Sequence, residues 1–288
     1  MSLTISVIIP SFNRKKVLAN LITAIQAQTL ANEYYEIFIV NDGSTDGTSE
    51  FLDTRNIPYI TTANLGPGCA RNTGVRHTKA PVLAFIDDDA LPGENWLNSI
   101  FQAFMQGKLT CCAEGDVLST GEDIPLSHSV SHKGPGSYLS CNFAITRKCF
   151  KKLRGFNERF RYINEDFEFF LRLNKHYNTI YLPDMVVFHP TVPSPFLKTL
   201  TNSLIYAKRY FYAEHLLMEL NPEGYQKVKF CKTPEETLKR FSHRYVLSYG
   251  FKKIHYFPKH PIRTMMWLIV CLTRQACFNY LRLTGYKG

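Results

Sequence analysis

Three consecutive aspartates, Asp87, Asp88 and Asp89, follow an apolar run, Val82 to Ile86, that reads as a β-strand. A chain leaving a buried strand at that point presents its next side chains to a crevice. Three carboxylates so close raise one another's pKa unless a cation is present. Oxygen ligands of this kind suit Mg²⁺ or Mn²⁺ bridging to substrate phosphates; the alternative is a solvated acidic turn capping the next helix. A second acidic pair, Glu165-Asp166, opens a helical pattern. It can serve proton transfer, or simply complement the helix dipole for about 0.3 to 1 kcal/mol. Gly66-Pro67-Gly68-Cys69-Ala70-Arg71 puts glycine and arginine at a helix start, a good phosphate contact.

The elements that must position these groups alternate. Ile5 to Ile9, Ile37 to Val40, Tyr59 to Thr61 and Val82 to Ile86 read as strands, and Val17, Leu18, Leu21, Ile22 and Ile25 recur at helical spacing. Such alternation predicts an α/β fold with a mainly parallel central sheet and helices on both faces. Ligands of open parallel sheets bind beyond the carboxyl ends of the strands. There the chain carries Ser11-Phe12-Asn13-Arg14, Asn41-Asp42-Gly43, Asn64-Leu65-Gly66 and the aspartate triplet. The Asn41-Asp42-Gly43-Ser44 segment alone reads as a common turn. A dinucleotide fingerprint is disfavoured, because Arg71 replaces the third glycine and the unit follows the third strand rather than the first. Further on, Arg147 to Leu153 and Glu165 to Leu173 read as helices, Ile180 to Leu182 and Met185 to Phe188 as strands, and the chain from Phe196 as helical.

Together, Ile5-Ser-Val-Ile-Ile-Pro-Ser-Phe-Asn-Arg14, Asn41-Asp-Gly-Ser-Thr-Asp46, Gly66-Pro-Gly-Cys-Ala-Arg-Asn-Thr-Gly74 and Phe85-Ile-Asp-Asp-Asp89 resemble the family 2 glycosyltransferases, which have the A-type nucleotide-sugar fold. Ser140-Cys-Asn-Phe-Ala-Ile145, Gly155-Phe-Asn-Glu158 and Glu165-Asp166 extend the resemblance over about residues 3 to 190. It implies that Pro10, Ser11 and Arg14 lie near the nucleoside, that Asp42 accepts from the base and that Arg71 approaches the uridine or diphosphate. Gly66 and Glu165 join this nucleotide-sugar site. Asp87 is expected on the ribose side and Asp89 on the metal, with the additional Asp88 leaving the register open. Asp166 matches the family's catalytic base. His189 stands where some members use a histidine on the metal or diphosphate; a plain strand-end histidine is the alternative. Asn142 either orients donor or acceptor or makes a turn hydrogen bond. Ile163-Asn164 replace the Gly-Gly that often precedes the acidic pair, and no Gln-x-x-Arg-Trp stretch follows residue 166, a departure from the processive members.

Charge is distributed unevenly. Residues 1 to 195 hold 18 Lys+Arg against 19 Asp+Glu, whereas residues 196 to 288 hold 16 against 5. This predicts a catalytic domain over 1–195 and a basic, aromatic, helical appendage over 196–288 whose partner is anionic. If Ile262 to Leu283 is one helix, Arg263, Thr264, Arg274, Gln275, Asn279 and Arg282 share one arc and Met265, Ile269, Leu272, Ala276, Tyr280 and Leu283 the other side. That pattern suits a helix in a lipid headgroup layer; helices packed on the catalytic domain with a solvated basic face are the alternative. No RNA-binding motif occurs, so no nucleic-acid partner is expected. The eight cysteines form no Cys-x-x-Cys pair, and the N-terminal apolar run reads as a strand rather than a signal peptide. The expected setting is cytoplasmic, peripheral at the inner face of a membrane.

The reading is a glycosyltransferase using Mn²⁺ or Mg²⁺. It would move one sugar, with inversion and without processivity, from a nucleotide-diphosphate donor of UDP type to a saccharide or lipid-linked acceptor. A sugar-phosphate nucleotidyltransferase is disfavoured because no Gly-rich, Arg-bearing loop follows the first strand. A catalytically silent nucleotide-sugar binding protein is disfavoured because metal and base candidates are all present.

Overall fold

A computed structural model describes residues 3–105, 111–136, 139–229, 236, 239 and 246–286. Its elements run β1 (Ile5–Ser11), α1 (Lys15–Gln26), β2 (Tyr35–Asn41), α2 (Thr48–Thr54), β3 (Tyr59–Thr61), α3 (Pro67–His77), β4 (Val82–Phe85), β5 (Leu91–Pro92) and α4 (Trp96–Met105). There follow β6 (Cys112–Glu114), β7 (Val117–Ser119), β8 (Ser127–His128), β9 (Phe143–Thr146), α5 (Arg147–Lys152), α6 (Glu165–Leu173), β10 (Thr179–Tyr181), β11 (Val187–His189) and β12 (Val192–Pro193). Among the described residues the α-helices α7 (Phe196–Thr201), α8 (Ser203–Leu220), α9 (Pro222–Lys229) and α10 (Pro261–Leu283) follow.

The main sheet has the order β10-β6-β9-β4-β1-β2-β3, with β9 antiparallel to both its neighbours and every other pair parallel. Its central strands β1, β4 and β9 are almost wholly buried because both faces are covered, whereas β3 and β10 at the two edges are partly exposed. Ile5, Val7 and Ile9 of β1 join Leu18, Leu21 and Ile25 of α1 and Trp96 and Ile100 of α4 in one core cluster. Ile8 joins Val75 of α3, Phe150 of α5 and Phe169 and Phe170 of α6 in another. Each such aliphatic or aromatic side chain taken out of water contributes about 1.5 to 3 kcal/mol. At Gly74 a Cβ would stand 2.4 Å from Ile8 Cγ2, so only glycine lets α3 lie this close to β1. A small second sheet, β5-β11-β7, carries His189 at its end.

The chain divides into two units: residues 1–120 with 130–190, and residues 121–129 with 191–288. Residues 121–129, within the 1–195 span expected as the catalytic domain, group with the C-terminal unit. Arg263 donates to the carbonyls of Pro125 and Leu126, at 3.0 and 2.8 Å, and Lys253 pairs with Asp123 at 2.8 Å. These partners lie far apart in sequence, which composition cannot reveal.

In the second unit, Ala207 and Phe211 of α8 pack with Cys271, Phe278 and Leu281 of α10. The basic arc, solvated in the alternative reading, faces this unit's interior: Thr264 is fully buried, the Arg274 guanidinium lies 4.0 Å from the Tyr206 ring centroid, and Gln275 accepts from the Val246 amide. The exposed row is the apolar one, Ile262, Met265, Ile269, Leu272, Tyr280 and Leu283.

Candidate active site

The chain runs outward from β1 through β2 to β3 and then returns to β4 on the other side of β1, so β1 and β4 flank a topological switch point. Groups past the two strand ends meet across it. Ser11 Oγ donates to Asp88 Oδ2 at 2.7 Å, and Arg14 Nη1 donates to Asp88 Oδ1 at 3.0 Å and to Asp89 Oδ2 at 2.5 Å. Pro10 lies one residue earlier, in register with Val40 of β2. Asp88 is buried, and burial pushes its carboxyl up to about 6 against the opposing pull of Arg14 and Ser11. It is a tie across the crevice. Asp87 and Asp89, on either side of it, are the partly accessible members of the triplet.

Asp89 Oδ1 also faces His189 Nε2 at 3.3 Å, while His189 Nδ1 lies 3.2 Å from the Pro190 carbonyl. Burial alone would raise Asp89, but the His189 hydrogen bond and the Arg14 charge hold it below the usual carboxylate range. Burial would likewise discharge His189; the Asp89 hydrogen bond and charge outweigh it and raise the imidazole pKa. A carboxylate oxygen and an imidazole nitrogen are both of the ligand types that divalent cations such as Mn²⁺ take. Among the described residues no group of three metal-ligating side chains occurs.

Asp42, at the end of β2, accepts from the Leu65 amide and the Thr62 hydroxyl through Oδ1, at 2.8 and 2.6 Å, and from the Gly66 amide through Oδ2 at 2.8 Å. The carboxylate expected to read the base thus organises the turn into α3, retaining one lone-pair direction on Oδ2. Gly66 has φ +96°, and a Cβ there would stand 2.1 Å from the Arg161 carbonyl oxygen. No side chain fits this turn.

Arg71, expected at the uridine or diphosphate, is 2% exposed. Its Nη2 holds Asp87 Oδ1 at 2.6 Å, its Nη1 holds Glu165 Oε1 at 3.2 Å, and its guanidinium lies 5.5 Å from the Phe156 ring centroid. Burial would discharge it, but Asp87 and Glu165 more than compensate and raise its pKa. As placed, Arg71 is enclosed and orients the two carboxylates. Asp166, next to Glu165, is pushed up to about 7 by burial and then by Glu165, against the attraction of Arg71. Its Oδ1 accepts from the Phe167 amide at 2.7 Å. Asn164, in the place of a glycine, adopts φ +67°, a left-handed conformation asparagine tolerates. The replacement therefore preserves the sharp entry into α6.

Asn142, expected either to orient donor or acceptor or to make a turn hydrogen bond, is fully buried and its amide is engaged within the protein. Its Oδ1 accepts from Trp96 Nε1 at 2.8 Å and its Nδ2 donates to the carbonyls of Asp116 and Met185, at 2.9 and 2.7 Å. It ties together the segments that carry β7 and β11. Sequence reasoning missed Asn13 and Asp46. Asn13, at φ +53°, exchanges hydrogen bonds with Ser44 and Thr45, and Asp46 accepts from the Lys15 amide at 2.9 Å, joining the loops after β1 and β2. The only available signal was that both are Asx residues beside glycine- or serine-bearing turns.

Residues 6–170, more than half of the chain, match the family described as Glycosyl transferase family 2. The chain belongs to that family. Among similar proteins, glycosyltransferase AglE of Haloferax volcanii is 34% identical over 99 residues, 32% of this chain and 33% of AglE. Validoxylamine A glucosyltransferase of Streptomyces hygroscopicus subsp. limoneus is 36% identical over 105 residues, 34% of this chain and 23% of that protein. These alignments span a third or less of either relative. In fold, the chain resembles S. aureus TarS 1-349 in complex with UDP-GlcNAc, with TM-score 0.57 and 15% identity over 99% of this chain and 93% of that one. It also resembles mannosyltransferase PcManGT from Pyrobaculum calidifontis in complex with GDP-Man and Mn²⁺, with TM-score 0.59 and 15% identity over 100% and 89%. The expected family and the α/β fold are therefore both found.

Proposed function

We propose that this family 2 protein transfers one sugar from a nucleotide-diphosphate sugar, of UDP type, to a saccharide or lipid-linked hydroxyl, inverting the anomeric centre. The observation that carries the proposal is the charge chain at the switch point: Asp87 and Glu165 held by one buried arginine, with Asp166 beside them. An acceptor hydroxyl is a poor nucleophile near neutral pH, so a carboxylate must take its proton as it attacks. Asp166, with a pKa of about 7, is matched to that task. Arg71 acts as a positioning residue for Asp87 and Glu165. Asp42 and Gly66 set the loop against which the nucleoside rests, with Ser11 and Arg14 on the opposite strand end. Asp89 and His189 would hold Mn²⁺ or Mg²⁺. When bound, the ion supplies positive charge to the leaving diphosphate.

The donor is supported by the likeness to proteins in complex with UDP-GlcNAc and GDP-Man, and the ion by the Mn²⁺ of the latter. For the second unit, we propose attachment to an anionic bilayer through the exposed row of α10. The row runs from Ile262 to Leu283, about 30 Å at 1.5 Å per residue, within a segment rich in basic residues. No helix among the described residues is long and apolar enough to cross a membrane. The proposed site of action is the cytoplasmic face. Thermal shifts with UDP, GDP and their sugars, with and without Mn²⁺, followed by release of nucleoside diphosphate, test the reaction. Stabilisation by no nucleotide sugar in either condition would overturn it.

A further inference from the structure

Asn72 follows Arg71 on α3 and is buried. Its side-chain amide holds the main chain of Phe156 in both directions: Oδ1 accepts from the Phe156 amide at 2.9 Å, and Nδ2 donates to the Phe156 carbonyl at 2.8 Å. Nδ2 also donates to Glu158 Oε1 at 2.9 Å. The reciprocal pair satisfies a buried main-chain donor and acceptor, groups that are costly to leave unmade. Gly155, at φ +68°, lets the chain come this close, since a Cβ there would stand 2.5 Å from Asn72 Oδ1.

The residue so held stands where the elements of the charge chain meet. The Phe156 ring centroid lies 5.5 Å from the Arg71 guanidinium, 4.6 Å from the ring of Phe169 and 5.6 Å from that of Phe85. Phe169 is on α6, one helical turn after Asp166, and Phe85 ends β4 just before Ile86 and Asp87. At Gly68 a Cβ would meet Phe156 Cβ at 3.4 Å and Glu165 Cβ at 3.3 Å, so the start of α3 packs on both. Arg71 Nε is buried without a hydrogen-bond partner among the described residues. An aromatic face suits such a cation, because the ring quadrupole attracts positive charge without a hydrogen bond.

We propose that Asn72 is a positioning residue for the reaction: by fixing the main chain at Phe156 it holds that ring against Arg71, and through Arg71 it sets where Asp87 and Glu165 stand. The inference rests on the sugar-transfer reading of this site.

The Arg71 Nε–Hε resonance of the full chain, assigned by its loss in Arg71→Lys, reads the contact without turnover. A proton over an aromatic face is shifted upfield, and a buried one exchanges slowly with water. In Asn72→Ser this proton should move toward the position of exposed arginines and exchange at least about tenfold faster. Asn72→Asp keeps the shape and the acceptor but loses the donor; it should give the same change in smaller measure and covers the case of a serine variant that does not fold. Release of nucleoside diphosphate from UDP-glucose, UDP-GlcNAc and GDP-mannose supplies the second readout. With the donor that serves, both Asn72 variants should lose kcat, Asn72→Ser by at least about tenfold, while the donor KM stays within about threefold. Glu158→Ala removes the amide's other partner but not its link to Phe156, and should leave kcat unchanged. Phe156→Leu removes the ring, so adding Asn72→Ser to it should cost under about threefold more. Stabilisation of the wild type by none of these donors would overturn the sugar-transfer reading and this role with it. In an active enzyme, an unmoved Arg71 resonance in the Asn72 variants, a moved resonance with unchanged kcat, or a full further loss in the Phe156→Leu background would overturn this proposal alone.

Discussion

Replacing Asp166 by asparagine keeps the shape of the side chain and its acceptance from the Phe167 amide but removes the negative charge available to an acceptor proton. A carboxyl with a pKa of about 7 is about half ionised at pH 7 and about one-tenth ionised at pH 6. The wild-type kcat/KM should therefore fall about tenfold per pH unit below 6, and this acid limb should vanish in the variant. Loss of a general base costs roughly a hundred- to ten-thousand-fold, about 3 to 5 kcal/mol of transition-state stabilisation. Stability should move the other way from activity. The folded state raises this carboxyl from 3.8 to about 7, so it holds the proton more tightly than the unfolded chain. The stability contributed by protonated Asp166 is full below about 4 and lost as pH rises to about 7. Asp166→Asn should accordingly melt no lower than the wild type at pH 8. Coupled detection of UDP release, calorimetry with UDP and a melting curve at pH 6 and 8 make the comparison. Unaltered kcat at saturating donor with weakened UDP affinity would refute the assignment and make Asp166 a binding residue.

The other expectations concern neighbouring groups and α10. Asp89→Ala should abolish the extra thermal stabilisation that Mn²⁺ gives to the UDP-bound protein; undiminished turnover in excess chelator would contradict metal dependence. Arg71→Met leaves Asp87 and Glu165 without their shared cation, a loss of about 3 to 5 kcal/mol on breaking a buried pair. A change under about 1 kcal/mol in urea unfolding would show that water already compensates them. Gly66→Ala combines φ +96° with a contact to the Arg161 carbonyl and should cost about 1 to 3 kcal/mol and weaken UDP binding, read by melting and calorimetry. Met265→Glu with Leu272→Glu, at positions 56% and 57% exposed, should leave the melting temperature intact and abolish cosedimentation with anionic vesicles. Equal pelleting of this variant would remove α10 from the membrane reading.

Much of the fold was legible in the sequence because it rests on short-range patterns. Apolar runs buried on both faces mark β1 and β4, and the 3.6-residue period marks α1 and α10. Tyr59 to Thr61 and Glu165 to Leu173 have the expected bounds, and the residues that meet past β1 and β4 could be placed because they follow strand ends. What individual side chains do there depended on partners far along the chain. Asp88, rather than Asp87 or Asp89, is the buried member of the triplet because Ser11 and Arg14 reach it from β1. The Asn142 amide is consumed by Trp96, Asp116 and Met185, and the two terminal nitrogens of Arg71 are held by Asp87 and Glu165. The amphipathic period of α10 was visible, but which side faces water was set by Tyr206, Val246 and the carbonyls of Pro125 and Leu126. A sequence states which groups can donate, accept or carry charge. Only the tertiary structure allocates that limited capacity, because each hydrogen bond or ion pair made within the protein is no longer available to a ligand.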